Sequence, residues 1–239
     1  MISTARRTLS FAALAALAAL SASAEDLTIV STVKLGDHQA TSTQYLTAQR
    51  ARTATGDMDV IIEYATGRIV QINHKNKEYS ETSLAEMTAQ AQQAAAKMET
   101  MPAFVQKAMG GAVGQITVTK GTTPRKIAGY DCTQYTLSMG QDMVFDLWVT
   151  PALELPMQLV EAQKAPFVAM GPAGRRLVAM FDEMKKIKGV SLATSMSYKT
   201  MGPKVNTLTE ATEVRRGPIP ASAFAIPADY KKKDSPFKH

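Results

Sequence analysis

Few residues in this chain are of the kinds that do chemistry, and their spacing brings none of them together. The three histidines, His38, His74 and His239, lie far apart, and none has a carboxylate or cysteine at metal-ligand spacing. Each reads as an isolated turn or strand histidine. Asp59 and Glu63, and likewise Asp142 and Asp146, fall on the outward side of alternating segments, which makes them solvated faces rather than acid–base pairs. Asp182-Glu183 is the polar side of a helical stretch. Cys132 is the only cysteine, so no intramolecular disulfide can form, and it reads as a small buried residue on a strand. No GxSxG elbow, HExxH pair, phosphate-binding loop or GxGxxG turn is present. An enzyme would need polar side chains in a cluster that this sequence scatters. No catalytic residue, metal site or cofactor is expected.

What the sequence offers instead is apolar and adaptable. Met87, Met98, Met101, Met109, Met180 and Met184 all fall on two helical stretches. Methionine is unbranched and polarizable, so a surface lined with it can repack around different partners. With Phe104 and Val105 on the first stretch, and Phe145 and Leu147 on a strand, these residues are the candidate contacts for a hydrophobic ligand. A plainer reading stands beside this one. A helix face of this kind is usually permanent core, where each large side chain gains about 1.5–3 kcal/mol by burial.

The first helical stretch is Ser83 to Gly111. Leu84, Met87, Ala91, Ala94, Met98, Met101, Val105 and Ala108 step by three and four, the period of one helix face. Ser83 and Glu86 stand at capping-box spacing. Pro102 removes a donor and clashes with the preceding turn, so two segments are expected, 83–100 and 103–109, with Gly110-Gly111 as the stop. The second helix is expected over 173–186, with Leu177, Met180, Phe181, Met184 and Ile187 on one face. Strands occupy most of the rest. Leu27, Ile29, Val33 and Leu35 alternate with polar neighbours, and Met58, Val60, Ile62 and Tyr64 do the same after the Gly56-Asp57 turn. Short turns link these strands as a meander up to Ser80. Strands resume from Gln115 to Val149, where Trp148 falls on the less apolar side, under a loop or at an edge. Pro151, Pro156, Pro166 and Pro172 predict a largely irregular segment. Two more strands follow, and a proline-punctuated arm closes the chain from Ile219 to Tyr230.

Composition sets the compartment. Arg6 and Arg7, the apolar run Leu9 to Leu20 and the small residues Ala22-Ser23-Ala24 make residues 1–24 a cleaved signal peptide. Later in the chain no apolar run is long enough to span a bilayer. The expected product is an exported protein, periplasmic or secreted, with one domain over 25–230. Lys231-Lys232-Lys233 and Lys238 make 231–239 a basic, flexible tail that could add weak attraction to an anionic membrane. The remaining positive charge is modest, and nucleic acid is a poor partner for an exported chain.

Several runs carry a family resemblance. Gly56-Asp57-Met58-Asp59-Val60-Ile61-Ile62, Thr66-Gly67-Arg68-Ile69-Val70 and Asn73-His74-Lys75-Asn76-Lys77-Glu78-Tyr79 come first, ahead of the helix. Ile127-Ala128-Gly129-Tyr130-Asp131-Cys132, Leu147-Trp148-Val149-Thr150-Pro151 and the ending Phe224, Pro227 and Tyr230 follow in order. Together they resemble a family of exported bacterial proteins with a domain of unknown function. That family is similar in organisation to the lipoprotein carrier LolA, its acceptor LolB and the sensor RseB. The resemblance implies a half-barrel whose hollow is covered by helices and receives acyl chains or a peptide, and it transfers no functional residue. The fold class expected is α+β: a strongly curved, open antiparallel sheet of ten to twelve strands, with two or three helices over its concave face. The function expected is non-enzymatic binding of a lipid acyl chain or lipoprotein in that hollow. The alternative is an envelope protein-interaction or sensor module with a permanently filled core.

Overall fold

A computed structural model of the chain describes residues 25–100, 102, 116–139, 143–169, 174–198 and 206–235. The expected signal peptide, the second helical half at 103–109 and its glycine stop lie outside these residues. Six strands open the chain: β1 (Leu27–Leu35), β2 (His38–Leu46), β3 (Arg50–Thr55), β4 (Met58–Glu63), β5 (Arg68–Asn73) and β6 (Glu78–Ser83). Each pairs antiparallel with the next, as the alternating pattern and tight turns predict. Helix α1 (Leu84–Glu99) follows. Its N-terminus closes as a capping box: the Ser83 amide donates to Glu86 Oε2 at 2.9 Å, and the Glu86 amide donates to Ser83 Oγ at 3.1 Å. Strands β7 (Ile116–Ile127), β8 (Tyr130–Met139) and β9 (Met143–Thr150) form a second meander. Helices α2 (Met157–Ala169) and α3 (Arg175–Met184) then lead to β10 (Val190–Tyr198) and β11 (Asn206–Arg216), and a short β12 (Lys231–Lys233) comes last.

All the strands among the described residues belong to one sheet, in the order β12-β6-β5-β4-β3-β2-β1-β11-β10-β9-β8-β7. The long crossing is β1 to β11, which joins the two meanders. The sheet is open, with β12 and β7 as its edges. It also curls. Neighbouring strands lie about 4.8 Å apart, so the four steps from β7 to β11 would span roughly 19 Å if flat. Yet the Arg125 guanidinium of β7 donates to both carboxylate oxygens of Glu210 on β11, at 2.6 and 2.7 Å. Trp148 lies beneath that guanidinium, 5.4 Å from it, on β9, which is paired on both sides and is not a sheet edge. The architecture is the open half-barrel with helices that the sequence predicts.

Three expectations are corrected. The segment of four prolines is not largely irregular, because Met157–Ala169 is helical. Pro156 stands just before the first helical residue, where a missing amide costs nothing, and burial of Leu159 and Ala162 holds the helix in place. The 231–239 segment does not begin as a flexible tail. Lys231–Lys233 pair parallel with Glu78–Ser80 of β6, which makes the sheet mixed rather than wholly antiparallel. The lysine run hides this strand because its side chains are solvated while its backbone is paired.

Two layers cover the two faces. Successive strand residues point to opposite sides. Ala51 therefore joins Leu27, Ile29, Leu46 and Leu159 of α2 in one apolar cluster, while its neighbour Arg52 points the other way. On that other side Ile61, Val70 and Ile72 are sealed by Phe224, with Ile219, Ile226 and Tyr230 of the C-terminal arm around them. Helices thus cover one face of the first meander and the arm covers its reverse. The α3–β10 junction is set by Gly189, whose φ is +119°. A Cβ there would lie 2.1 Å from the Thr150 carbonyl oxygen. Gly189→Ala should therefore lower stability by about 3 kcal/mol in a denaturant titration. Gly129→Ala, with φ +87° but nothing within 4 Å, should cost only about 1 kcal/mol.

Candidate functional site

The helix layer is the first place to look for a site. α1 packs on α2, α2 packs on α3, and the outer two touch the sheet at β6 and β7 respectively. Phe167 and Phe181 stack between α2 and α3 with ring centroids 5.8 Å apart. Lys164 pairs with Asp182, and Lys185 with Glu161, across the same seam. Hydrogen bonds from these lysines, Lys185 to Glu161 and Lys164 to Asp182, hold both carboxyls below the ordinary carboxylate range.

Among the residues predicted to contact ligand, the structure brings four together. Met180 and Met184 of α3 pack with Phe145 around Leu137, Leu147 and Val149 of the sheet. Met87 is half-buried on α1. The side chain of Met98, and Met101, Phe104, Val105 and Met109, lie outside the described residues. Burial differs sharply between the two partners of this seam. Leu137 is 0% exposed and Leu147 5%. By contrast, no described side chain of α1 or α3 is fully buried, and Ala94, expected on the inner face of α1, is exposed. α2 buries Leu159 and Ala162 but leaves Met157 58% and Val168 57% exposed. The sheet has a finished core; the helices rest on it.

One polar group beneath this layer is unfinished. Tyr64, just after β4, packs against the cluster that holds Leu159, and its hydroxyl is buried without a hydrogen-bond partner. Burial pushes its pKa up to about 12. Cys132 is buried as expected, and burial likewise raises its thiol pKa.

The reverse face carries a polar constellation that the spacing of residues did not reveal. Asp59 is 1% exposed and not a solvated strand carboxylate. It pairs with the Arg52 guanidinium and lies 2.8 Å from His74 Nε2. His74 Nδ1 lies 2.7 Å from the Tyr230 hydroxyl. A carboxylate only accepts, so His74 donates to Asp59 from Nε2, while Nδ1 and the Tyr230 hydroxyl share the second hydrogen bond. Arg52 also donates to the Ala223 carbonyl at 2.6 Å. His74 is therefore not an isolated histidine: Asp59 and Tyr230 reach it from 15 and 156 residues away. The arrangement has the order of an acid–base relay. Its partners are nonetheless consumed in fastening the arm, and the ring of Tyr230 packs edge-on against His74 at 5.6 Å. It is a clasp. Beyond it, an open cleft of about 470 Å³ lies under the arm, lined by Tyr45, Arg215, Arg216 and Gly217 to Pro220.

Among the described residues no group of three or more His, Cys, Asp or Glu could hold a metal ion. No described helix is long and apolar enough to cross a membrane. Removing the carboxylate of the clasp strands a buried guanidinium. Asp59→Ala should therefore cost about 3–5 kcal/mol in equilibrium unfolding. Tyr230→Phe should cost about 1 kcal/mol and make the arm cleavable in limited proteolysis.

The profile of a family described as Domain of unknown function (DUF4412) matches residues 20–230. No curated protein matches the chain. Among solved structures it is similar to an uncharacterized conserved protein from Thermus thermophilus, at 7% identity and a TM-score of 0.49, covering 89% of this chain and 91% of that one. It is similar to the Pseudomonas aeruginosa MucA/MucB complex at 9% identity and a TM-score of 0.43, covering 86% of this chain and 57% of that one. A LolA superfamily protein, NE2245 from Nitrosomonas europaea, matches at 8% identity and a TM-score of 0.28, over 85% of this chain and 90% of that one. The chain spans only 31% to 58% of several other solved chains that it resembles.

Proposed function

We propose that this chain, which belongs to the DUF4412 family, is an exported, non-enzymatic envelope protein that binds the acyl chains of a lipid or lipoprotein between its sheet and its helices. The observation that carries this reading is the contrast in burial across the helix–sheet seam. Large apolar side chains gain about 1.5–3 kcal/mol when fully buried. Leu84, Met87, Leu177, Met180, Phe181 and Met184 are only half-buried, so the helices forgo part of that stabilisation. Lifting them off the sheet is correspondingly cheap, and an acyl chain inserted beneath them would recover the missing contacts. Methionines at the contact make the surface tolerant of chains of different shape.

The second reading, an interaction module with a filled core, draws on the β6 edge. Among the described residues three, those of β12, cover that edge, and two of their side chains are held there by exposed pairs, Lys232 with Glu81 and Lys233 with Glu78. Exposed pairs of this kind each contribute about 0–1 kcal/mol, so an extended segment of another envelope protein could replace β12. Hydrogen bonds from Lys232 and Arg68 hold the Glu81 carboxyl below its ordinary range. Its contribution to stability is therefore present above the unfolded carboxylate pKa and fades as pH falls through the folded one.

Titration of the purified mature protein with a fluorescent acyl probe separates the two readings. The binding reading expects micromolar affinity. In Met180→Gln/Met184→Gln that affinity should weaken by about tenfold, the equivalent of ~1.4 kcal/mol, with little change in the unfolding midpoint. Absence of binding, together with a co-purifying protein whose capture strengthens when residues 231–239 are deleted and the β6 edge is bared, supports the interaction module instead.

A further inference from the structure

We infer that Tyr64 is the polar anchor of the acyl site, its hydroxyl donating to the carbonyl oxygen of a neutral ester- or amide-linked chain. The inference rests on the binding reading above and adds to it the chemical class of the group that is bound. Tyr64 is held in place by its own backbone, whose amide donates to the Gln49 carbonyl at 3.0 Å. Ile62 pairs across with Ala51, and Tyr64, two residues on, shares their face of the sheet. That is the face covered by α2 through Leu159. The clasp of Arg52, Asp59, His74 and Tyr230 lies on the reverse side and offers Tyr64 nothing.

The side chain packs against the apolar cluster that holds Leu27, Leu46 and Ala51, and its hydroxyl is buried with its hydrogen-bonding capacity unused. Interiors seldom keep such a group, and where one persists a ligand or an ordered water usually supplies the partner. Burial keeps the phenol protonated far above neutral pH, so it is a donor seeking an acceptor. A hydrocarbon tail has no acceptor to give. A free fatty acid has one but would carry a charge into an apolar setting, which is strongly disfavoured. A neutral acyl carbonyl meets both demands. Esters of glycerol and the acylated terminus of a lipoprotein present that group at the head of the chains that the helices would cover.

The test compares two probes on two proteins: a fluorescent fatty acid methyl ester and the matching hydrocarbon, each titrated against the wild-type protein and Tyr64→Phe. The wild-type protein should prefer the ester by roughly tenfold. Tyr64→Phe should lose that preference through weaker ester binding, keep its affinity for the hydrocarbon, and unfold at the same temperature or higher because an unpaired polar group is gone. Equal losses on both probes would mean that Tyr64 acts through packing alone, and an unchanged ester affinity that its hydroxyl holds a buried water only; either would overturn the inference while leaving the binding reading intact. A wild-type protein that binds neither probe defeats the binding reading and this inference with it.

Discussion

The structure turns on a single buried charge. Asp59 sits on an interior strand, almost without solvent, and an ionised carboxylate in that position is tolerable only if it is paired and hydrogen-bonded. Arg52 and His74 do this from the neighbouring strand β3 and from the turn after β5. Each of them then has bonding capacity that reaches beyond the sheet, and the arm meets it. Arg52 takes the Ala223 carbonyl and His74 takes the Tyr230 hydroxyl. Phe224 is thereby seated over Ile61, Val70 and Ile72, and Arg50 lies over the Phe224 ring at 4.3 Å. One carboxylate in this way decides where the last part of the chain runs.

Fixing the arm on one face determines what is left for the other. The reverse face is sealed by aromatic and apolar residues that are fastened by charge-assisted bonds. The helix face is sealed by elements that contribute half-buried side chains and, toward each other, mostly surface ion pairs. α2 is the exception, since Leu159 and Ala162 enter the core. The two covers therefore differ in how much free energy it takes to lift them. The arm is built to stay; α1 and α3 are built to rest. The unpaired hydroxyl of Tyr64 falls on the helix-covered side.

Much of this was legible in the residues, and the exceptions have physical causes. The capping box of Ser83 and Glu86 and the meander through β6 follow from local patterns of spacing and turn chemistry; the curl follows from placing so many strands in one sheet, and the open half-barrel was what the family resemblance implied. Asp59 was not legible. Alternation assigns polar residues to solvent, but both faces of this meander are covered, so a carboxylate on the polar side is buried as well. Its setting in the run Met58 to Ile62, continuously apolar apart from Asp59 itself, was the available signal. His74 and Tyr230 are joined only by the tertiary fold. Helix α2 was hidden by its prolines: Pro156 stands just before its first residue, where a helix accepts one, but Pro166 lies inside it, where proline is ordinarily disfavoured; β12 was hidden by lysines whose backbone alone is structured. Of the residues expected to line the hydrophobic site, Phe145, Leu147, Met180 and Met184 converge because a strand and a helix each present one face to the same cluster.

The central claim is that the helices form a cover of lower stability than the sheet beneath them. Amide hydrogen exchange followed by mass spectrometry, with and without an acyl ester, measures that directly. Peptides from α1 and α3 should exchange far faster than those from β1, β5 and β11 in the free protein, and should slow when the ester is added while the sheet is unchanged. Helix amides as protected as those of the central strands, with no response to the ester, would contradict the account.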